Sequence, residues 1–296
     1  MSSVRCALVT SILMASSLFS AAAETSVERG RYLVNTILAC GNCHTPKAPD
    51  GTPRASREFA GGISFTTPAF NATASNITSD KETGIGDWSD DAIKLSLIEG
   101  VRPDNARLPG TPLAAVMPVS FYKALLPADL QAVVAYLRAV KPVVQSTPAP
   151  DYKVPVHRED YPDADKGFSE TDMQDPVRRG AYLATIGHCM ECHSAWSRGV
   201  TDYKTGLGKG GRQFGPWLVR GVLEDWKGST APNITSHPSK GIGAWSDAEI
   251  KRAIMHGIGR DGRKLQPPMA FGFYAGLRDE DVNAIVAWLR TVPPLE

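Results

Sequence analysis

The chain repeats itself. Three blocks occur twice, in the same order, along its 296 residues. RGRYLVNTILACGNCHT, residues 29–45, matches RGAYLATIGHCMECHS, residues 179–194, with one extra residue in the first copy. SNITSDKETGIGDWSDDAIKLSLIEGV, starting at Ser75, matches PNITSHPSKGIGAWSDAEIKRAIMHGI, starting at Pro232. MPVSFYKALLPADLQAVVAYLRAVKPV, from Met117, matches MAFGFYAGLRDEDVNAIVAWLRTVPPL, from Met269. Any fold for this chain must therefore be one that a single plan can adopt twice in tandem.

The blocks carry helical periodicity. Leu130, Val133, Val134 and Leu137 fall on one face of a helix, and Val282, Ile285, Val286 and Leu289 repeat that stripe. Pro127 suits a first helical turn, while Pro142 and Pro293 mark ends. Ser89 and Ser246 stand as N-caps, Ser246 with Glu249 as a capping box, and Gly100 and Gly257 stand at helix C-termini. Gly30 and Gly180, with Tyr32, Tyr182, Tyr136 and Trp288, are expected at a close helix–helix contact. Strand signals are weak throughout. The expectation is an all-α fold of two tandem units, residues 24–141 and 176–296. Residues 142–175, acidic and rich in proline, form an extended linker packed along both. The loops between blocks are long and rich in Gly and Pro, so small helical units of this kind need something besides side chains to fill their centres.

The N-terminus reads as a processing signal. Arg5 precedes an apolar run over residues 6–19, and Ser20, Ala21, Ala22 and Ala23 offer a small-residue cleavage site before Glu24. A signal peptide over residues 1–23 predicts an exported, periplasmic protein, and no other stretch is long and apolar enough to span a membrane. The formal charge of +1 without a basic block excludes an evident nucleic-acid footprint.

Cys6 leaves with the signal peptide, so four of the five cysteines remain: Cys40, Cys43, Cys189 and Cys192. They form CGNCH and CMECH. Two thiols three residues apart on a helical turn can bond the two vinyl groups of one haem, and the next residue, histidine, reaches the iron. A single four-cysteine zinc site would need a shorter separation between the pairs, and a redox dithiol would need a βαβ setting. Two covalently attached haem c groups are therefore expected, with His44 and His193 as proximal ligands. In the first copy Met117 is the one methionine, and the one histidine is His44, so a methionine or second histidine ligand there must be Met117. The second copy offers Met173, Met190, Met255, Met269, His188, His237 and His256; of these Met269 aligns with Met117, whereas Met255 and His256 align with Ile98 and Glu99. His188, His237 and His256 read as structural and His157 as solvated. Trp88 and Trp245 are candidate donors to a haem propionate. Asn76 and Asn233, in the repeated Asn-Ile-Thr, are candidate partners of backbone or propionate. Histidine–methionine ligation fills both axial positions and favours electron exchange over binding of oxygen or peroxide.

Two CxxCH units, each followed by Asn-Ile-Thr, Gly-Ile-Gly-x-Trp-Ser, a methionine and Phe-Tyr before the final helix, resemble the multihaem cytochrome c subunits of bacterial periplasmic dehydrogenases. These include alcohol, gluconate and sorbitol dehydrogenases and some molybdenum hydroxylases. The resemblance implies class I-like cytochrome c domains with thioethers at Cys40, Cys43, Cys189 and Cys192 and axial ligands His44, Met117, His193 and Met269. It implies a non-catalytic carrier that takes electrons from a periplasmic dehydrogenase and passes them to another cytochrome, a terminal oxidase or the quinone pool. Many relatives on membrane dehydrogenases carry three motifs and a C-terminal anchor; with two motifs, this chain departs from the membrane alcohol dehydrogenase type. The alternative is a dihaem peroxidase or small-substrate oxidoreductase, which requires one labile haem ligand.

Overall fold

A glycine marks the crossing of the first and last helices in each repeat. In the computed structural model, which describes residues 24–162 and 164–296, α1 (Ser26–Asn35) packs on the later helix Pro127–Ala139, and the helix Pro176–Ile186 packs on Asp279–Leu289. The leader expected over residues 1–23 lies outside the described residues. A Cβ on Gly30 would fall 1.9 Å from the Ala132 carbonyl oxygen, and one on Gly180 would fall 1.9 Å from that of Ala284. Glycine is required at both crossings because two backbones meet there, as the repeat suggested.

Ten α-helices are found among the described residues. After α1 come α2 (Cys40–His44), α3 (Asp90–Ile98), α4 (Val119–Tyr122), α5 (Pro127–Ala139), α6 (Pro176–Ile186), α7 (Cys189–His193), α8 (Asp247–His256), α9 (Phe271–Tyr274) and α10 (Asp279–Leu289). Their ends follow local chemistry. Thr25 and Glu28 close a capping box on α1. Ser89 accepts from the Ala92 N–H at 3.1 Å, and Ser246 forms its box with Glu249. Asp175 caps α6, with Pro176 in its first turn. Gly257, at φ +62°, is the C-cap of α8, and Gly100, at φ +70°, follows α3. These left-handed positions cost glycine nothing and other residues about 1 kcal/mol or more.

The all-α expectation needs one correction. Eight short strands appear among the described residues: β1 (Ser64–Thr66), β2 (Phe70–Thr73), β3 (Asp151–Tyr152), β4 (Ala195–Ser197), β5 (Val200–Asp202), β6 (Gln213–Phe214), β7 (Val219–Arg220) and β8 (Ser229–Thr230). They are loops that find a partner, too short to show alternation. The largest sheet, ordered β3-β2-β1-β7, takes strands from the first repeat, the expected linker and the second repeat. The chain remains mostly helical.

One apolar core runs through both halves, including Leu33, Val34, Val133 and Leu137 from the first and Tyr182, Leu183, Val282 and Val286 from the second. A smaller cluster seats Val219, Val222 and Trp226 against Ile63. Residues 142–175 lie along both halves. β3 pairs with β2, the Thr147 carbonyl accepts from Arg107 at 2.5 Å, and Glu159 accepts from the Thr201 N–H at 2.9 Å.

The contact between halves is reciprocal. Tyr182 donates to Asp129 at 2.5 Å, and Tyr32 donates to Asp281. Each phenol oxygen also accepts the N–H at the cap of the opposite last helix: Leu126 at 3.4 Å for Tyr182 and Arg278 at 3.2 Å for Tyr32. Each aspartate is held within its own half by arginine, Arg29 to Asp129 at 2.7 Å and Arg179 to Asp281 at 2.7 Å. This is the self-complementary pattern of a twofold interface, drawn within one chain.

Burial, followed by the neighbouring carboxylate, raises the Tyr32 and Tyr182 phenols above the ordinary 10.0. The unfolded chain loses these protons near pH 10.0 while the folded chain holds them. The stability involved is therefore whole below that pH and declines as pH rises beyond it. In an alkaline titration these two phenols are expected to ionise only as the far-ultraviolet circular dichroism collapses. All eight tyrosines ionising near pH 10 with helix intact would refute this assignment.

Candidate functional site

Each cysteine pair sits on a five-residue helix, α2 or α7, entered through a left-handed residue: Ala39 at φ 45° and His188 at φ 44°. This sharp entry turns the chain from the long helix into the motif and sets both thiols on one helical turn. Cys40, Cys43, Cys189 and Cys192 are all free thiols. Burial pushes them up, to about 12, 11, 12 and 12 respectively, yet each keeps part of its surface accessible. Among the described residues no group of three or more His, Cys, Asp or Glu side chains is arranged to hold a metal ion.

The two histidines are prepared identically. His44 Nδ1 lies 2.6 Å from the Ser75 carbonyl oxygen, and His193 Nδ1 lies 2.9 Å from that of Pro232. A carbonyl only accepts, so Nδ1 carries the proton and Nε2 keeps its lone pair. Burial pushes both imidazoles down, toward the neutral form a metal needs. Ser75 and Pro232 each precede Asn-Ile-Thr, and the structure gives that triplet a task. Asn76 Oδ1 accepts from the Thr78 N–H at 2.9 Å, and its Nδ2 donates to the Val143 carbonyl at 2.7 Å. Asn233 does the same with Thr235 at 2.9 Å and Leu295 at 2.7 Å. The turn is thus tied to the chain beyond the last helix, and it holds the carbonyl against the imidazole. Asn76 is only 2% exposed, which fits this structural duty rather than a glycosylation sequon.

Met117 and Met269 are half-buried against the main core, just before α4 and α9. Met190, inside the second motif, is a fully buried core side chain, while Met173 and Met255 pack at its edge. The His188 ring lies 6.3 Å from that of Phe121, tilted by 58°, and its Nδ1 lies 3.0 Å from Glu191. His237 Nδ1 accepts from the Lys240 N–H at 3.0 Å, and His157 and His256 are exposed. Trp88 and Trp245 pack on the core, and their carbonyls accept from Arg138 and Arg290. This repeated arginine brace, closed by Asp90 at 2.8 Å and Asp247 at 2.7 Å, escaped the sequence reading, although both pairs sit at matched repeat positions.

The motifs approach each other across the interface. Asn42 donates to the Pro268 carbonyl, next to Met269, at 2.8 Å. Gly41 lies so close to Phe273 that a Cβ would meet the ring at 2.9 Å. Tyr122 and Tyr274 are buried between the motifs and held well above the ordinary phenol value, first by burial and then by neighbouring thiols. The donor set fits haem c: paired unbonded thiols, an imidazole with its outer nitrogen free, and a thioether on a separate element.

Residues 177–293 match the family Cytochrome c. This segment is a cytochrome c domain. Such a domain carries haem c bound through its CxxCH cysteines. The chain is 30% identical over 292 residues to the fructose dehydrogenase cytochrome subunit of Gluconobacter japonicus, covering 93% of this chain and 54% of that protein. It is 29% identical over 288 residues to the gluconate 2-dehydrogenase cytochrome c subunit of Pantoea cypripedii, covering 91% and 60%. It is 28% identical over 267 residues to a diheme cytochrome c-type protein of Cereibacter sphaeroides, covering 87% and 83%. The chain thus spans little more than half the length of the two dehydrogenase subunits. Two of these relatives are cytochrome subunits of dehydrogenases, and the third is a dihaem c-type cytochrome. No helix among the described residues is long and apolar enough to cross a membrane.

Proposed function

We propose that the chain is a periplasmic dihaem cytochrome c that moves electrons one at a time from a dehydrogenase to another cytochrome, a terminal oxidase or the quinone pool. The observation that carries this reading is the doubled arrangement of two free thiols and a histidine fixed through Nδ1 by a backbone carbonyl. Residues 24–141 and 176–296 each form a cytochrome c domain, and residues 142–175 link them. Cys40, Cys43, His44 and Met117 would hold one haem, and Cys189, Cys192, His193 and Met269 would hold the other.

When bound, each haem supplies a one-electron iron couple. The chain's own residues do the rest. Ser75 and Pro232 fix the imidazole orientation, and the Asn-Ile-Thr turns hold those carbonyls in place. Held by His44 and Met117 in one half and by His193 and Met269 in the other, each haem would favour electron exchange over substrate chemistry. The relatives' names make a sugar or alcohol dehydrogenase the first donor to test.

The test uses the exported full-length protein. Two haems per chain are expected by pyridine haemochrome assay, with a methionine-to-iron absorption band in the ferric state and no peroxide turnover. Met117→Ala and Met269→Ala are each expected to remove about half of that band. A colourless protein, or a high-spin haem that turns over peroxide in the unmodified chain, overturns the proposal.

A further inference from the structure

The repeat makes the two motifs comparable position by position, and their outer faces differ. Three residues after the motif histidine stands Lys47 in the first half and Trp196 in the second. Lys47 is half-buried and its Nζ donates to Asn42 at 2.9 Å. The chain covers that side with its own later segment. β7 pairs with β1, the Glu224 N–H donates to the Pro49 carbonyl at 2.8 Å, and Val222 and Leu223 close over Gly51. The corresponding side of the second motif is bare. There β4 and β5 form a hairpin that leaves Trp196 46% and Val200 60% exposed.

This bare face connects directly to α7. Arg212 donates to the Glu191 carbonyl, inside the second motif, at 2.8 Å. Its guanidinium carbon lies 5.8 Å from the Trp196 ring centre and 5.4 Å from that of Phe214. The indole is thereby held at the surface on a cation that is itself anchored to the cysteine-bearing helix. Around it, Arg198, Lys204 and Lys209 are exposed and take part in no ion pair among the described residues. The nearby carboxylates, Asp202 and Glu159, are engaged by backbone N–H groups. With Arg212, the face carries a surplus of positive charge around an exposed aromatic anchor. An exposed tryptophan beside arginine is the composition of an interface centre, and unpaired rim cations steer an oppositely charged partner.

We propose that the Trp196 face is the docking site for an acidic electron-transfer protein, so that electrons are exchanged with that partner at the second motif and not the first. The proposal rests on the dihaem reading above. One electron crosses per encounter: the partner loses one, the cytochrome gains one, and no bond forms or breaks. The covered face beside Lys47 leaves the first motif to exchange electrons with the second across the interface that Asn42 and Phe273 already bridge.

The test uses the full-length holoprotein and an acidic flavodoxin as probe. The first readout is binding alone. Oxidised flavodoxin is titrated into the ferrous, 15N-labelled cytochrome, and the Trp196 indole N–H is expected to shift while the buried Trp226 indole N–H stays still. Trp196→Ala is expected to weaken binding about tenfold. The second readout is the rate of reduction by flavodoxin hydroquinone. R198E/K204E/K209E is expected to slow it at least about tenfold at low ionic strength and to flatten its salt dependence, while reduction by an uncharged hydroquinone is unchanged. The control R57E/K81E/K141E, on the other half, is expected to change neither. An unmoved Trp196 indole, or equal losses in both triple variants, overturns the docking assignment. A protein without haem overturns the functional reading instead, so the two failures are distinct.

Discussion

Gly180→Ala is expected to abolish the packing of α6 on α10 and to lose stability and haem retention together. The added Cβ would stand 1.9 Å from the Ala284 carbonyl oxygen and 2.8 Å from the Trp288 Cβ. Neither neighbour is the loose end of a side chain, so the only relief is for the helices to part. Overpacking of a well-filled core costs about 1–3 kcal/mol and sometimes more. A backbone collision belongs at the upper end, against a total stability of about 5–15 kcal/mol. Parting these helices also moves α7, which begins three residues after α6 ends. Gly272→Ala is the control. It lies within α9, and a Cβ there meets nothing within 4 Å, so the variant should unfold at or slightly above the parent's urea midpoint. Equal midpoints for Gly180→Ala and the parent would remove the account of the helix crossing given above. Gly30→Ala should reproduce the effect in the first half, since a Cβ there would lie 1.9 Å from the Ala132 oxygen.

Asp281→Ala should cost about 3 kcal/mol and loosen the halves from each other. Asp281 is 1% exposed and receives Arg179 and Tyr32. Removing one member of a buried charged network costs about 3–5 kcal/mol, because the partners lose their compensation. The lower figure applies because the Arg179 side chain is 27% exposed and recovers some hydration. Asp281→Asn retains an acceptor for Tyr32 and should lose less. Tyr32→Phe should cost about 1 kcal/mol, the net worth of one hydrogen bond. A double-mutant cycle of Tyr32→Phe with Asp281→Ala, read by urea unfolding, should give a coupling well above the error of measurement. Additive losses would mean that the two side chains do not act together across the interface.

Much of this organisation was legible in the repeat. Gly30 and Gly180 each stand two residues before a tyrosine, and both proved to be crossing points. The caps at Ser89 and Ser246 and the stripe of Val282, Ile285, Val286 and Leu289 were visible because capping and helical periodicity are local. The carbonyls that orient His44 and His193 were not visible. They lie 31 and 39 residues from the histidines they hold, and a carbonyl carries no side-chain signature. The repeated Asn-Ile-Thr was the one available clue. The strands were missed because pairs of two to four residues show no alternation and exist only where a loop from elsewhere arrives.

The order of residues alone settled the two thiol–thiol–histidine turns, the helices that flank them and the pairing of Met117 with Met269, since each depends on spacing between near neighbours or on the repeat itself. Tertiary structure alone decided that Tyr32 would meet Asp281 and Tyr182 would meet Asp129, each in the other half, when either tyrosine could have paired within its own repeat. It alone decided that β7 would cover the first motif's flank and leave Trp196 bare at the second. Those outcomes depend on contacts between distant segments, where packing and burial select among pairings that sequence spacing leaves equivalent.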